Sequence, residues 1–337
     1  MEKEKAHSYE DLDVKPPYVC TIKIGGYSVN IFSDFRDYLP LFENTDTSYV
    51  KDIPGWGVDS KPKDLNIPSI CYYSDKKTQF KYIQDSQVLK ITGNPADFAD
   101  GQAFAYIGFW MTEALRQKES TFTLHASSVA IDGKGVLLIG DGGSGKTAIA
   151  LGISKKYDSE FISNDLSIVK HYKDSKAAFL LESSKIVRLR LTTVKLNFPE
   201  LLDMFNGCSQ SAWTTKIPVN LDILRLKTTS EPRLLNTAIS VHLDSNPNEP
   251  VAFKKVSNIE TQFALYENLS RIVRGSAISV FGKDNNILGY MPSLDTQELH
   301  QNRVDFINHL VKNVGIWNVS GGDLNQICEI INDINKS

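Results

Sequence analysis

Four glycines, a lysine and a threonine fall within eight residues, Gly140-Asp141-Gly142-Gly143-Ser144-Gly145-Lys146-Thr147, with the spacing G-x-x-x-x-G-K-[ST]. This segment suits phosphate chemistry. Glycines keep side chains out of the way, so that backbone N–H groups converge on phosphate oxygens. A lysine in this place reaches the β- and γ-phosphates of a nucleotide, and the hydroxyl after it is a Mg²⁺ ligand. The motif carries that meaning only between a strand and a helix. Both are legible here: Val136-Leu-Leu-Ile139 is a short apolar run, and Ala148-Ile-Ala-Leu-Gly-Ile-Ser154 has helical spacing. The helix start adds N–H donors and the positive end of its dipole. The expected cofactors are therefore ATP and Mg²⁺, with residues 140–147 as the phosphate-binding loop.

Other candidates are arranged around the loop. Phe161-Ile-Ser-Asn164-Asp165 places an acidic residue 19 positions after Lys146. Phosphoryl transfer needs positioning, charge neutralisation and one residue to orient the nucleophile. Asp165 suits that last role, since an aspartate near a metal and a cationic loop stays ionised and accepts a proton. The alternative is that Asp165 only holds a metal-bound water. His125 lies 15 residues before Gly140 on a preceding strand; it is either a core histidine or a site residue. Glu182 is a second candidate metal ligand, and Arg188, Arg225 and Arg233 are candidate bidentate phosphate clamps.

The elements that must position these residues follow in order. Residues 1–17 are charged, end in Pro16-Pro17 and read as a flexible leader. Residues 18–96 read as a small, mostly β domain, opened by two strands around the turn Gly25-Gly26. Its 44–68 stretch is rich in Pro, Gly, Asp and Lys, a loop long enough to expect a function of its own. Residues 97–337 read as the phosphate-loop domain. They begin with a buried helix over 97–118, pass through a hairpin from Phe122 to Ile139 that turns at Asp132-Gly133, and reach a helical tail over 258–337. Strands are expected at Leu221–Leu226 and Thr237–Leu243. Gly321-Gly322-Asp323 reads as the turn and cap of the last helix.

Composition sets the outer bounds. The chain has 337 residues, 41% of them apolar and 23% charged, and a net charge of −3. It is in the ordinary globular range, with length for two domains and no overall basic footprint for nucleic acid. Cys20, Cys71, Cys208 and Cys328 are scattered, with neither zinc-type spacing nor a disulfide framework. No apolar run is long enough to cross a membrane, and no signal segment is recognisable. A cytoplasmic location without nucleic-acid or membrane partners is the expectation.

The stretch from Leu124-His125 through the loop to Asn164-Asp165, about residues 120–245, resembles the catalytic domain of HPr kinase/phosphorylase and its relatives, which share a core with phosphoenolpyruvate carboxykinases. The resemblance implies an α/β fold of the HPr kinase/PEP carboxykinase-like type, with a β-rich core. It implies an ATP- and Mg²⁺-dependent phosphotransferase acting on a serine or threonine hydroxyl. Asp165 would be the general base, His125 the active-site histidine, Lys146 and the loop amides the phosphate grip, and Thr147 the metal-binding hydroxyl. Asn164 stands where the family has a first aspartate. The metal-binding glutamate beside Arg188 is missing, with Glu182 as its nearest substitute, and Glu231-Pro232-Arg233 faintly matches a phosphate-contacting loop. HPr itself is not the expected substrate. Relatives with an unrelated N-terminal module resemble tailoring kinases of ribosomally made peptides, so the acceptor would be a peptide, presented by the module and the 44–68 loop, or a free amino acid or other small alcohol. The departures also leave open a nucleotide-switched binding protein without transferase activity. A homo-oligomer is compatible with the family.

Overall fold

The structure, a computed structural model, describes residues 15–43, 50, 53–61, 64, 66–206, 216–256, 259–275 and 279–337. The expected leader up to residue 14, much of the 44–68 stretch, Cys208 and Trp213 lie outside them. The chain divides into two compact units. The first runs up to Leu115 and takes in Arg271–Asp295; the second comprises Arg116–Ser270 and Thr296–Ser337. The boundary expected near residue 96 falls inside the first unit.

The first unit is built on a six-stranded sheet. Strands β1 (Tyr18–Ile24), β2 (Tyr27–Ser33), β3 (Gly57–Asp59), β4 (Ser69–Ser74), β5 (Gln79–Ile83) and β6 (Val88–Gly93) lie in the order β3-β1-β2-β4-β6-β5. β1 and β2 form the expected hairpin, with Ile24 opposite Tyr27. Gly25 and Gly26 both have positive φ, 55° and 89°, which matches a two-residue turn whose twist suits the strands. An aromatic cluster fills the unit: the Tyr38 and Phe104 rings are 4.5 Å apart, and those of Tyr72 and Phe98 are 4.9 Å apart. Phe104 belongs to helix α1 (Gln102–Lys118), whose aromatic residues are core as expected.

The second unit carries the phosphate loop on a mixed α/β fold. Its strands are β7 (Thr121–Leu124), β8 (Ala126–Ile131), β9 (Lys134–Ile139), β10 (Ser159–Ser163), β11 (Ser167–Tyr172), β12 (Ala177–Leu181), β13 (Val187–Arg190), β14 (Lys216–Val219), β15 (Arg233–Leu243) and β16 (Ala252–Val256). After β17 (Ser279–Phe281) and β18 (Ile287–Tyr290), which belong to the first unit, comes β19 (Ile316–Gly321). The main sheet runs β10-β8-β9-β15-β12-β11-β7, with β19 and β16 branching from β15. β9, β15 and β19 are parallel to one another. β7 and β8 are separated only by His125, yet β7 lies at one end of this path and β8 near the other. The sheet must therefore curl until its ends nearly meet, and His125 sits at the closure. The expected Phe122–Ile139 hairpin is thus only half right. β8 and β9 do pair around Asp132-Gly133, but β7 pairs with β11.

Both faces of this sheet are covered, which is why β9 reads as an unbroken apolar run rather than an alternating one. Val136 and Leu138 face one core with helix α2 (Lys146–Lys156), and Leu137 and Ile139 face another with Leu265, Leu269 and Phe306. Helix α3 (Ile259–Arg274) supplies Leu265 and Leu269, and α4 (Gln297–His309) supplies Phe306. Helix α5 (Leu324–Lys336) is capped by Asp323, as expected, and packs Ile327 and Ile331 into the α2 side. The tail expected to be helical also carries β19, whose polar Asn318 and Ser320 hide its strand character. Leu221–Leu226 is not a strand: Ile223 and Arg225 donate to Asn220 and Asp222 in local turns.

One buried side chain ties the site's segments together. Asn164, at the end of β10, has no solvent exposure. Its Oδ1 accepts from Thr147 Oγ1 at 2.7 Å and from Ser127 Oγ at 2.9 Å, and its Nδ2 donates to the Ile186 carbonyl at 3.0 Å. Its backbone N–H donates to Ser184 O at 2.7 Å. A primary amide accepts at one end and donates at the other at any pH, which an ionised carboxylate of the same shape cannot. Asn164→Asp places an ionised oxygen against the Ile186 carbonyl, so a loss of about 1–3 kcal/mol in urea unfolding is expected at neutral pH. The deficit relative to wild type should shrink near pH 4, where a protonated carboxyl donates again.

A second buried pair makes stability depend on pH. The rings of His171 on β11 and His309 on α4 lie 4.6 Å apart, both nearly buried. Burial, reinforced by His309 and Lys173 and opposed by Asp305, pushes His171 from the usual 6.5 down to about 4. The unfolded chain thus takes up a proton that the folded chain refuses, so this contribution is full above about pH 6.5 and is lost toward pH 4. His171→Leu should make the urea midpoint fall less between pH 7 and pH 5 than it does in wild type.

Candidate functional site

The loop between β9 and α2 has the shape its sequence demands. Gly143 and Gly145 have φ of 89° and 87°, a region closed to most side chains. A Cβ on Gly145 would stand 2.4 Å from Leu243 Cβ, so loop and β15 touch where only glycine fits. At Gly142 and Gly143 nothing lies within 4 Å of an added Cβ, and this part of the loop faces open space. Gly145 caps α2 without a side-chain hydrogen bond. The first turn of this 11-residue helix is thus left without a capping side chain where Gly145, Lys146, Thr147 and Ala148 line the cleft, an arrangement that suits an anion. The Ser144 hydroxyl is buried and has no hydrogen-bond partner among the described residues.

Lys146 is buried at 5% exposure. Its Nζ donates to the carbonyls of Gly140 and Asp141, both at 2.8 Å. Burial lowers its affinity for its proton, and the Asp165 and Asp141 carboxylates oppose that. Thr147 gives its hydroxyl proton to Asn164, which turns the oxygen lone pairs toward the cleft. Asp165 has φ of 60°, and Leu166 N–H donates to Asn164 O at 2.7 Å across it. A non-glycine residue held in this conformation is costly, and such positions concentrate at functional sites. His125 reaches Asp165 through its ring: Nδ1 lies 3.2 Å from the Asp165 carbonyl oxygen. Its backbone N–H donates to Asn268 Oδ1 at 3.0 Å.

These residues line one cleft of about 190 Å³, with His125, Lys146, Thr147, Asp165 and Arg188 among its walls. Glu182 and Arg233 do not line it. Glu182 is bound to Lys185 at 2.9 Å and to Ser230 at 2.7 Å. Arg233, at the far end of β15 from the loop, holds Glu160 at 2.7 Å. Arg225 is outside the cleft as well. Sequence reasoning missed Arg190 and Lys216, which do line it. The alternation Arg188-x-Arg190 on a strand was a usable signal, because it sets both side chains on one face; Lys216 arrives only through the pairing of β13 with β14.

A second cleft, of about 540 Å³, shares Gly142 and Gly143 with the first and lies on the other side of the loop. Ser240, Asn318, Ala264 and Asn268 help to wall it, and Asp141 and Glu260 are its carboxylates. No lysine or arginine among the described residues lines it.

The family model of the TIP49 P-loop domain matches residues 114–272, which include the loop, His125, Asn164, Asp165 and Arg188. No curated protein matches the chain. The match bears out a P-loop domain and corrects the finer expectations, since the matching TIP49 model describes a different P-loop family from HPr kinase/phosphorylase. The HPr-kinase-like identity, the serine/threonine phosphotransferase activity and the peptide-tailoring role are therefore withdrawn. The reason for the error is physical. The residues that carried the resemblance, a glycine loop with Lys-Thr and an acidic residue after the next strand, answer needs common to nucleotide phosphate binding. The marks that were to separate one family from another are missing (Asn164 for an aspartate) or tied up elsewhere (Glu182 and Arg233).

Proposed function

We propose that this chain is a Mg²⁺-dependent nucleoside triphosphatase that binds ATP on residues 140–147 and transfers its terminal phosphoryl group to water. One observation carries the reading. The buried Lys146 ammonium, the open backbone of Gly142 and Gly143, the uncapped start of α2 and the Asp165 carboxylate converge on a single cleft. The TIP49 P-loop match over the same residues supports it.

Each side chain has a task that its surroundings prepare. Lys146 and the loop amides hold the β- and γ-phosphates. Mg²⁺, when bound, would neutralise phosphate oxygens, and the Thr147 oxygen is the group that would hold it. The fit is good at Thr147, whose proton is already committed to Asn164. Asp165 orients the attacking water and takes up its proton, as its position beside the loop and its fixed backbone allow. His125 fixes the Asp165 backbone from behind, and Asn268 holds His125.

Two substitutions test this in one set of assays. Lys146→Ala should weaken ATP binding by at least about tenfold, measured by calorimetry. Asp165→Asn should keep ATP binding and lower phosphate release by about 10²–10⁴-fold. Phosphate release that survives Lys146→Ala would sink the proposal.

A further inference from the structure

Across the second unit, basic side chains are repeatedly matched with carboxylates: Lys156 with Glu329, Lys170 with Glu119, Lys173 with Asp305, Lys185 with Glu182, Lys227 with Asp158 and Arg233 with Glu160. In the phosphate cleft two cations face each other instead. Arg190 ends β13 and stands directly opposite Lys216 on β14. Like charges facing each other across a strand pair are destabilising. Neither side chain has a hydrogen bond or an ion pair with any described residue, and both line the cleft of Lys146 and Thr147. Arg188 lies two positions before Arg190, on the same face of β13 and in the same cleft. Half-buried Arg190 thus shares the cleft with Lys146, Arg188 and Lys216, and Asp165 is the one carboxylate among its described lining residues.

We propose that Arg190 is a catalytic residue of this cleft, an arginine supplied by the chain itself to hold the charge that develops on the transferred phosphoryl group, with Lys216 beside it. The proposal rests on the nucleoside triphosphatase reading. In the step, the water oxygen forms a bond to the γ-phosphorus as the bond from that phosphorus to the β,γ-bridging oxygen breaks. ADP leaves with the electron pair, and the water's proton passes to Asp165. Negative charge grows on the bridging oxygen and spreads over the equatorial oxygens, and a planar guanidinium meets two such oxygens at once. An ammonium cannot match that geometry, although it keeps the charge.

The test separates holding the ground state from stabilising the transition state. Arg190→Ala and Arg190→Lys are compared with wild type in phosphate release, in calorimetric affinity for ATP, and in affinity for ADP with aluminium fluoride and Mg²⁺. Circular dichroism and thermal melting establish that the variants fold. The expected result is a fall in kcat of about 10³-fold for Arg190→Ala with ATP affinity within about threefold of wild type. Binding of the aluminium fluoride complex should fall in parallel with kcat. Arg190→Lys should recover only a small part of either. A loss of ATP affinity that accounts for the whole effect would overturn the proposal, since Arg190 would then be a ground-state contact. Unchanged kcat would overturn it too. Absence of phosphate release and of ATP binding in wild type would instead remove the triphosphatase reading, and this proposal with it.

Discussion

The site depends on one buried carboxamide. Asn164 has no solvent exposure, yet it joins β8, the start of α2, the approach to β13 and the end of β10 through hydrogen bonds of 2.7 to 3.0 Å. A buried polar group is costly unless satisfied, and a satisfied network rigidifies what it links. Asn164 is satisfied at both ends, so the loop helix, the turn at Asp165 and the cationic strand are fixed relative to one another. As a departure from an expected aspartate it looked like a lost charge. In the fold it is the residue type the position requires, because the Ile186 carbonyl needs a donor.

The curl of the sheet supplies the rest. His125 is the single residue between β7 and β8, and the change of strand partners there brings its ring to the backbone of Asp165. Serines continue the closure: Ser163 Oγ lies 2.5 Å from Ser128 Oγ and 2.7 Å from Ser167 Oγ. Small hydroxyl side chains let the strands approach closely and satisfy one another without water. The parallel strands β9 and β15, buried on both faces, then carry the loop on a rigid base.

What could be read in the sequence was what is decided locally. Strand, loop and α2 are contiguous, and glycine spacing specifies the loop's backbone directly, so residues 140–147 were legible. Asp165 was legible because it follows the next strand at a fixed remove. Glu182 and Arg233 were misplaced because their partners, Ser230 and Glu160, are brought to them by pairings over 48 and 73 positions. Asn268 contacts His125 across 143 positions and has no local sign at all. The same limit explains the family error, since local phosphate chemistry is shared among P-loop proteins while their differences lie in long-range arrangement. The first unit was read as mostly β with fair success, but its boundary was not, because α1 runs on past Leu115 with no break in composition.

The loop also acts as a partition between two electrical environments. On one side stand Lys146, Arg188, Arg190 and Lys216 with the single carboxylate of Asp165; on the other, Asp141, Glu260 and His242 with no lysine or arginine among the described lining residues. Fields from such clusters reach about 8 Å at physiological ionic strength, far enough to act on a polyanion before contact. An anion near the loop would therefore meet opposite fields on its two faces, which bears on how it is oriented before contact.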